Sequence, residues 1–285
     1  MNKNLRAYLA ELIGTFAVVF LAAGTVCVNQ VAILTGNDAV RPGLVGIALA
    51  YGLAYAAALA AVLPHSTGYL NPAVTLMFWV FKRLDGFKTA ALIFVQVLGA
   101  AIAGGLLRLV FTTEVLTAAS LGTPHVNLQM FDAAGPTPAV LLKGAVVECA
   151  LTFILTFIIF ATVIDPRAPR FLGGWGKRLI ALWVGVVVVA ITLAAFSYTG
   201  AAANPARWFG PVVWEFTVDS LSSGQIKPFR DHLVYWFGPI AGALLAGTVY
   251  NALILPADAE HAAAPAAAGG KVTAGAGATL FRSKK

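Results

Sequence analysis

The chain of 285 residues is 59% apolar and 11% charged, with a mean hydropathy of +0.83. That composition excludes a water-soluble globule and points to an integral membrane protein. The formal net charge of +7 comes from basic residues spread through short loops. It therefore reports topology, and no nucleic-acid partner is expected.

In chain order, apolar segments occupy residues 8–31, 43–63, 87–110, 140–164, 178–198 and 232–255. Segments of this kind cross a hydrocarbon layer of about 30 Å as helices. The first is too long for a removable signal peptide and lacks the small-residue cleavage pattern, so it is a retained span. Six spans leave both termini on one side. With the N-terminus inside, the inner segments collect nine Lys and Arg residues plus four in the C-terminal tail, against five in the outer loops. The positive-inside rule then favours cytoplasmic termini. Cys27 and Cys149 lie within spans, where a thiol acts as a small hydrophobe; neither a disulfide framework nor a metal site is expected. The outer segment 112–139 carries Pro124, Gly135, Pro136 and Pro138 without a periodic pattern. It reads as an ordered cap or as a mobile loop. Residues 256–285 are rich in Ala, Gly and Pro and nearly free of large apolar side chains, which predicts a disordered cytoplasmic tail.

Two shorter apolar pieces begin at Pro72 and Pro205. Each is about 10 residues long, or about 15 Å as helix, half a bilayer. Each opens on the same triplet, Asn71-Pro72-Ala73 and Asn204-Pro205-Ala206. Asn suits the helix N-cap, and Pro suits the first helical position, where its missing N–H costs nothing. Irregular backbone is tolerated at membrane depth only where it is packed in protein or lines a watery cavity, so two such segments imply a shared pore.

The two halves of the chain echo each other. AELIGTF around Glu11 answers VECALTF around Glu148, and the Asn-Pro-Ala triplets follow after 60 and 56 residues. LGAAIAGG at 98–105 answers IAGALLAG at 240–247, with Gly99, Gly104, Gly105, Gly242 and Gly247 at spacings that let helices approach closely. Repeat one covers about 5–111 and repeat two about 140–255. Three spans per repeat make the second enter from the opposite face. The predicted fold is all-α, with six transmembrane helices and two re-entrant half-helices that meet N-terminus to N-terminus near the midplane.

Facing helix N-termini present about half an elementary charge each and repel cations. If Asn71 and Asn204 cap their helices through oxygen, their amide N–H groups are left to donate to a passing water, which then cannot easily relay a proton. Glu11 and Glu148 lie deep in spans, where a carboxylate is costly unless bonded. They are either coupling groups of a proton-driven transporter or structural acids that accept backbone N–H groups from the re-entrant loops; their symmetry favours the second. The sequence carries no catalytic constellation, metal-ligand cluster or phosphate-binding glycine loop, so neither an enzyme nor a cofactor is expected.

The pair NPAVT at 71–75 and NPAR at 204–207 resembles the signature of the major intrinsic protein family, the aquaporins and glycerol facilitators, and the resemblance covers residues 5–255. It implies a channel domain over residues 1–255 in a lipid bilayer of the plasma or inner membrane, assembled as a homotetramer with one pore per subunit. It implies passive conduction of water. It also implies a four-position selectivity filter: Tyr51, Thr192, Ala201 and Arg207. Arg207 would order water and oppose cations with a fixed guanidinium. Thr192 stands where strict water pores carry His, and the filter lacks the two aromatics of glycerol facilitators. A wider, less polar wall is expected, passing water with some small neutral solutes while excluding protons and ions; the alternatives are a glycerol or urea facilitator and a proton-coupled transporter. Tyr235-Trp236 resembles the water branch, Tyr69 replaces a family His, and Trp208 matches neither the Ser of water channels nor the Asp of glycerol channels. Ala201 replaces the Cys that lines some pores, so mercurials should not block by that route.

Overall fold

A computed structural model describes residues 2–165, 167, 176–218 and 229–255. The expected tail, 256–285, lies outside the described residues. Within them the chain is helical, with no strand.

Helix α1, Lys3–Leu34, starts where the side chain of Asn2 accepts the Asn4 N–H at 3.2 Å. It outruns its apolar segment at both ends, because hydrophobicity marks only the part that needs lipid while the backbone ladder continues through the polar Lys3–Arg6 turn. Helix α2, Gly43–Val62, leads into the first re-entrant loop, and the half-helix α3, Pro72–Val80, leaves it. Helix α4, Gly86–Val110, is capped by Asp85, which accepts the Lys88 N–H at 2.9 Å.

The outer segment takes the form of an ordered cap. It contains the short helix α5, Thr113–Ala119, and a tight left-handed bend through Ser120, Leu121 and Gly122. Leu116 and Leu121 are fully buried in one cluster with Ala23, Cys27 and Leu107, which pins the segment to α1 and α4 without any periodic signal. The second repeat follows with α6, Pro138–Ile159, α7, Gly176–Thr199, the half-helix α8, Pro205–Glu215, and α9, His232–Val249. Single π-helical turns extend α6 to Ile164 and α9 to Ile254. Six of these helices are long and apolar enough to cross a membrane.

Packing follows a pseudo-two-fold pattern. Helix α1 packs on α4 and α2, as α6 packs on α9 and α7; α4 carries α8 as α9 carries α3; and α2 meets α7 across the pseudo-axis. Two glycines explain why the helices come so close. A Cβ on Gly99 would strike the carbonyl oxygen of Leu12, and one on Gly242 would strike that of Cys149, in equivalent places of the two repeats. Large apolar side chains such as Phe94, Leu109, Leu142 and Phe237 point outward and are exposed, as lipid or a partner subunit would require. The free cysteines Cys27 and Cys149 belong to this apolar scaffold.

Candidate pore and selectivity filter

The two half-helices begin in the same way. Asn71 and Asn204 are extended, and each Oδ1 accepts the N–H two residues on, from Ala73 and Ala206, at 2.9 Å. Proline at the first helical position removes one donor that would otherwise be orphaned. Each asparagine then reaches across the pseudo-axis: Asn71 Nδ2 donates to Ala203 O and Asn204 Nδ2 to Leu70 O, both at 2.8 Å. One N–H per amide is thus spent on joining the loops. An amide nitrogen has two hydrogens, so the second remains for a ligand at the centre.

The loops that deliver these turns hold strained backbone. Leu70, Ala201 and Ala203 sit at φ of 51°, 46° and 45°, where side chains are rarely found. The buried glutamates lie directly behind them. Glu11 Oε1 accepts Ser66 Oγ at 2.7 Å and Tyr69 N–H at 2.8 Å, and Oε2 accepts Leu70 N–H at 2.8 Å and Gln96 Nε2 at 2.9 Å. Glu148 Oε1 accepts Thr199 Oγ1 at 2.7 Å and Ala202 N–H at 3.0 Å, and Oε2 accepts Ala203 N–H at 2.7 Å. An ionised carboxylate is an acceptor only, with room for about four donors. These two collect loop N–H groups that neither a helix nor water could satisfy.

Arg207 and Tyr51 face one another, the guanidinium carbon 5.8 Å from the ring centroid. Tyr51 donates its hydroxyl to Ala202 O at 2.8 Å, so the ring is fixed to the second loop. Arg207 donates Nη1 to Gly122 O at 2.9 Å, and its Nε is buried without a partner. Thr192 spends its hydroxyl proton on Val188 O of its own helix, at 2.7 Å. Ala201, on the loop with Ala202, is fully buried and offers only a methyl group.

Tyr69 borders a cavity of about 300 Å³ with Lys3, His65 and Lys88, and its ring meets Phe78 edge-on at 4.8 Å. Trp208 points away from chemistry. It is fully buried, stacked on Tyr235 at 5.6 Å and edge-on to Phe229 at 5.5 Å, while Trp236 meets Phe209.

Three features escape a reading of the sequence. Gln96 joins Glu11 to Thr75, which a lone polar residue in a span could have flagged. The cap supplies Gly122 O to Arg207, for which no sequence signal exists. Finally, His125, Glu215, Asp231 and Arg230 form a largely buried ionic cluster. Burial alone would lower the His125 pKa, but hydrogen bonds and charge from Asp231 and Glu215 raise it to about 9. Burial would raise that of Asp231, yet His125 and Arg230 hold it down at about 2.

Comparison with known proteins agrees with this geometry. The model of the family described as Major intrinsic protein matches residues 1–250. Aquaporin TIP4-4 of Zea mays is 39% identical over 250 residues, covering 88% of this chain and 87% of its own. Aquaporin-4 of Bos taurus is 33% identical over 254 residues, covering 88% of this chain and 68% of its own. The X-ray structure of the aquaglyceroporin from Plasmodium falciparum superposes with a TM-score of 0.69 at 20% identity, over 88% of this chain and 97% of that one, and shares its fold. With the family model matched over nearly the whole membrane-embedded part and relatives of this identity along most of their length, the chain belongs to the major intrinsic protein family.

Proposed function

We propose that the chain is a passive transmembrane channel for water that also admits small neutral solutes and excludes protons and ions. The observation that carries this reading is the pair of asparagine caps, each tied across the pseudo-axis by one N–H and left with one more for a permeating oxygen. A water that accepts from two donors cannot simultaneously accept and pass a proton along the file, and the facing half-helix dipoles add a barrier to cations. Arg207 adds a fixed positive charge at the outer constriction.

A broader solute range is the second reading, and Thr192 favours it. With its hydroxyl proton committed to Val188 O, the wall opposite Arg207 lacks the donor that an imidazole would offer. A proton-coupled transporter has less support, because both glutamates are occupied in holding loop N–H groups. We further read residues 1–255 as one channel domain of two repeats, in a cell membrane with both termini cytoplasmic, assembled as a homotetramer through outward-facing apolar surfaces.

Stopped-flow light scattering on proteoliposomes tests the reading, comparing water efflux with glycerol and urea entry for the wild type and Arg207→Ala. Fast water flux with slow solute entry makes the chain a water channel; comparable solute entry makes it a facilitator. Flux no faster than in empty liposomes would refute conduction.

A further inference from the structure

His125 and Arg230 of the ionic cluster line a cavity of about 730 Å³, and short segments connect the cluster to the residues around Arg207. His125 stands three residues after Gly122, the residue whose carbonyl holds Arg207. Its Nε2 lies 2.8 Å from Glu215 Oε1, at the end of the half-helix whose start carries Arg207. Its Nδ1 lies 3.2 Å from Asp231 Oδ2, at the start of α9. Asp231 also accepts the Val126 N–H at 2.9 Å and two N–H groups of Arg230, whose Nη2 donates in turn to Val126 O at 3.0 Å.

Both ring nitrogens of His125 face carboxylates. A neutral imidazole has one donor and one lone pair, so only the imidazolium can satisfy both contacts. The link from His125 to Gly122 is short and stiff. It passes through Pro124, whose φ is fixed by its ring, and Pro124 lies so close to Gly200 that a Cβ there would come within 2.8 Å of its Cα. Gly200 immediately precedes the filter residue Ala201. Asn127 N–H closes the segment onto Tyr198 O at 2.9 Å. The Gly122 carbonyl takes the Nη1 bond of the buried Arg207, whose Nε has no hydrogen-bond partner and whose guanidinium lies over the Tyr51 ring.

We propose that His125 is a positioning residue for the selectivity filter: as an imidazolium bridging Glu215 and Asp231 it holds the Gly122 carbonyl in place, and so fixes Arg207 across the constriction. Loss of the ring or of its proton releases the cap over residues 124–126 and leaves Gly122 held only from its other side, where Leu121 is buried and Gly122 packs on Ala23; the Gly122 carbonyl and Arg207 then shift, and the filter widens toward larger neutral solutes. The charged groups that face the ring are Glu215 and Asp231, with Arg230 behind Asp231. Because that setting raises the His125 pKa to about 9, the bridge is intact at neutral pH and opens only under alkaline conditions.

This inference rests on the channel function proposed above, and the test keeps the two apart. Water efflux and glycerol entry are measured on proteoliposomes of the wild type and His125→Gln, in buffers from about pH 7 to about pH 10. The wild-type ratio of glycerol to water permeability is expected to stay level to about pH 8 and then rise about threefold or more. His125→Gln, which has one donor atom and no titratable proton, is expected to show a raised ratio at neutral pH and no further rise. A wild-type ratio that is flat throughout, or a rise of equal size in His125→Gln, overturns the proposal. Should neither protein conduct, the channel reading fails, and the structure of His125→Gln decides the positioning role: an undisturbed bond from Arg207 Nη1 to Gly122 O overturns it, and a lost bond supports it.

Discussion

Replacing Glu148 by Gln removes a charge and exchanges one acceptor oxygen for a donor at a site where three donors converge. The least costly rotamer keeps oxygen at the Oε1 position, facing Thr199 Oγ1 and Ala202 N–H, and turns the new NH₂ toward Ala203 N–H. That orphans a fully buried backbone donor, at about 1–3 kcal/mol, and weakens the two retained bonds by about 1 kcal/mol each as they lose their charge assistance. The total is about 3–5 kcal/mol, applied to a loop in which Ala201 and Ala203 already sit at positive φ. The loss falls on folding, since the carboxylate is turned to the loop backbone.

The expected outcome is a drop of about 10 °C in the melting temperature of the purified protein in detergent, with lower yield. The fraction that still folds should conduct water at nearly the wild-type rate and with no new response to a pH gradient. Melting curves, with flux assayed per folded molecule, separate the two effects. A Glu148→Gln protein as stable as the wild type, whose flux has lost a dependence on the proton gradient, would refute the structural role and restore the coupled-transporter reading.

Four further outcomes follow from the same contacts. Thr192→His places a donor-bearing ring opposite Arg207 and should cut glycerol entry about tenfold or more while changing water efflux far less, measured by stopped flow. Gly242→Val drives a side chain into the Cys149 carbonyl, and separating α6 from α9 should cost about 3 kcal/mol or more, visible as loss of folded protein in size-exclusion profiles. Because Ala201 carries no thiol, mercurials should not block the wild type by that route, and a strong reversible block would mean that the buried Cys27 or the partly exposed Cys149 is reached; Ala201→Cys should become reversibly blocked. Asp231, held at about 2 against an ordinary value of 3.8, contributes about 2 kcal/mol that is fully present above its unfolded pKa and lost as pH falls through about 2; hydrogen exchange of the outer cap should accelerate over that range, and Asp231→Asn should abolish the acid step.

The parts of the architecture that lipid dictates were legible in the sequence. Six apolar runs and two Asn-Pro-Ala starts report directly on which segments suit hydrocarbon and where a helix can begin in it, because a membrane leaves few other solutions. The cap between α4 and α6 was not legible for the converse reason. It holds no helix long enough to cross a membrane, so no lipid-facing periodicity is imposed on it, and its order comes from Leu116 and Leu121 entering a cluster built by residues far away in sequence.

The filter divides along the same line. Tyr51, Thr192, Ala201 and Arg207 are the positions that the family resemblance implies for a filter, and counting from the two asparagines reaches them. The carbonyl that accepts from Arg207 lies 85 positions earlier in the chain, and His125 meets Glu215 and Asp231 across separations of 90 and 106. A carbonyl has no side-chain identity to recognise, and carboxylates on separate elements announce no pairing until tertiary structure brings them together. Glu11 and Glu148 were visible because burial of an acid in an apolar helix is costly and therefore demands partners. Asp231 stands at a helix N-cap, where an acid is ordinary, whereas Glu215 ends a helix, where the dipole opposes it, and both are fully buried. Burial at a helix end depends on which loop folds over it. Here that loop is the cap, whose Gly122 carbonyl accepts from Arg207 and whose His125 meets both acids.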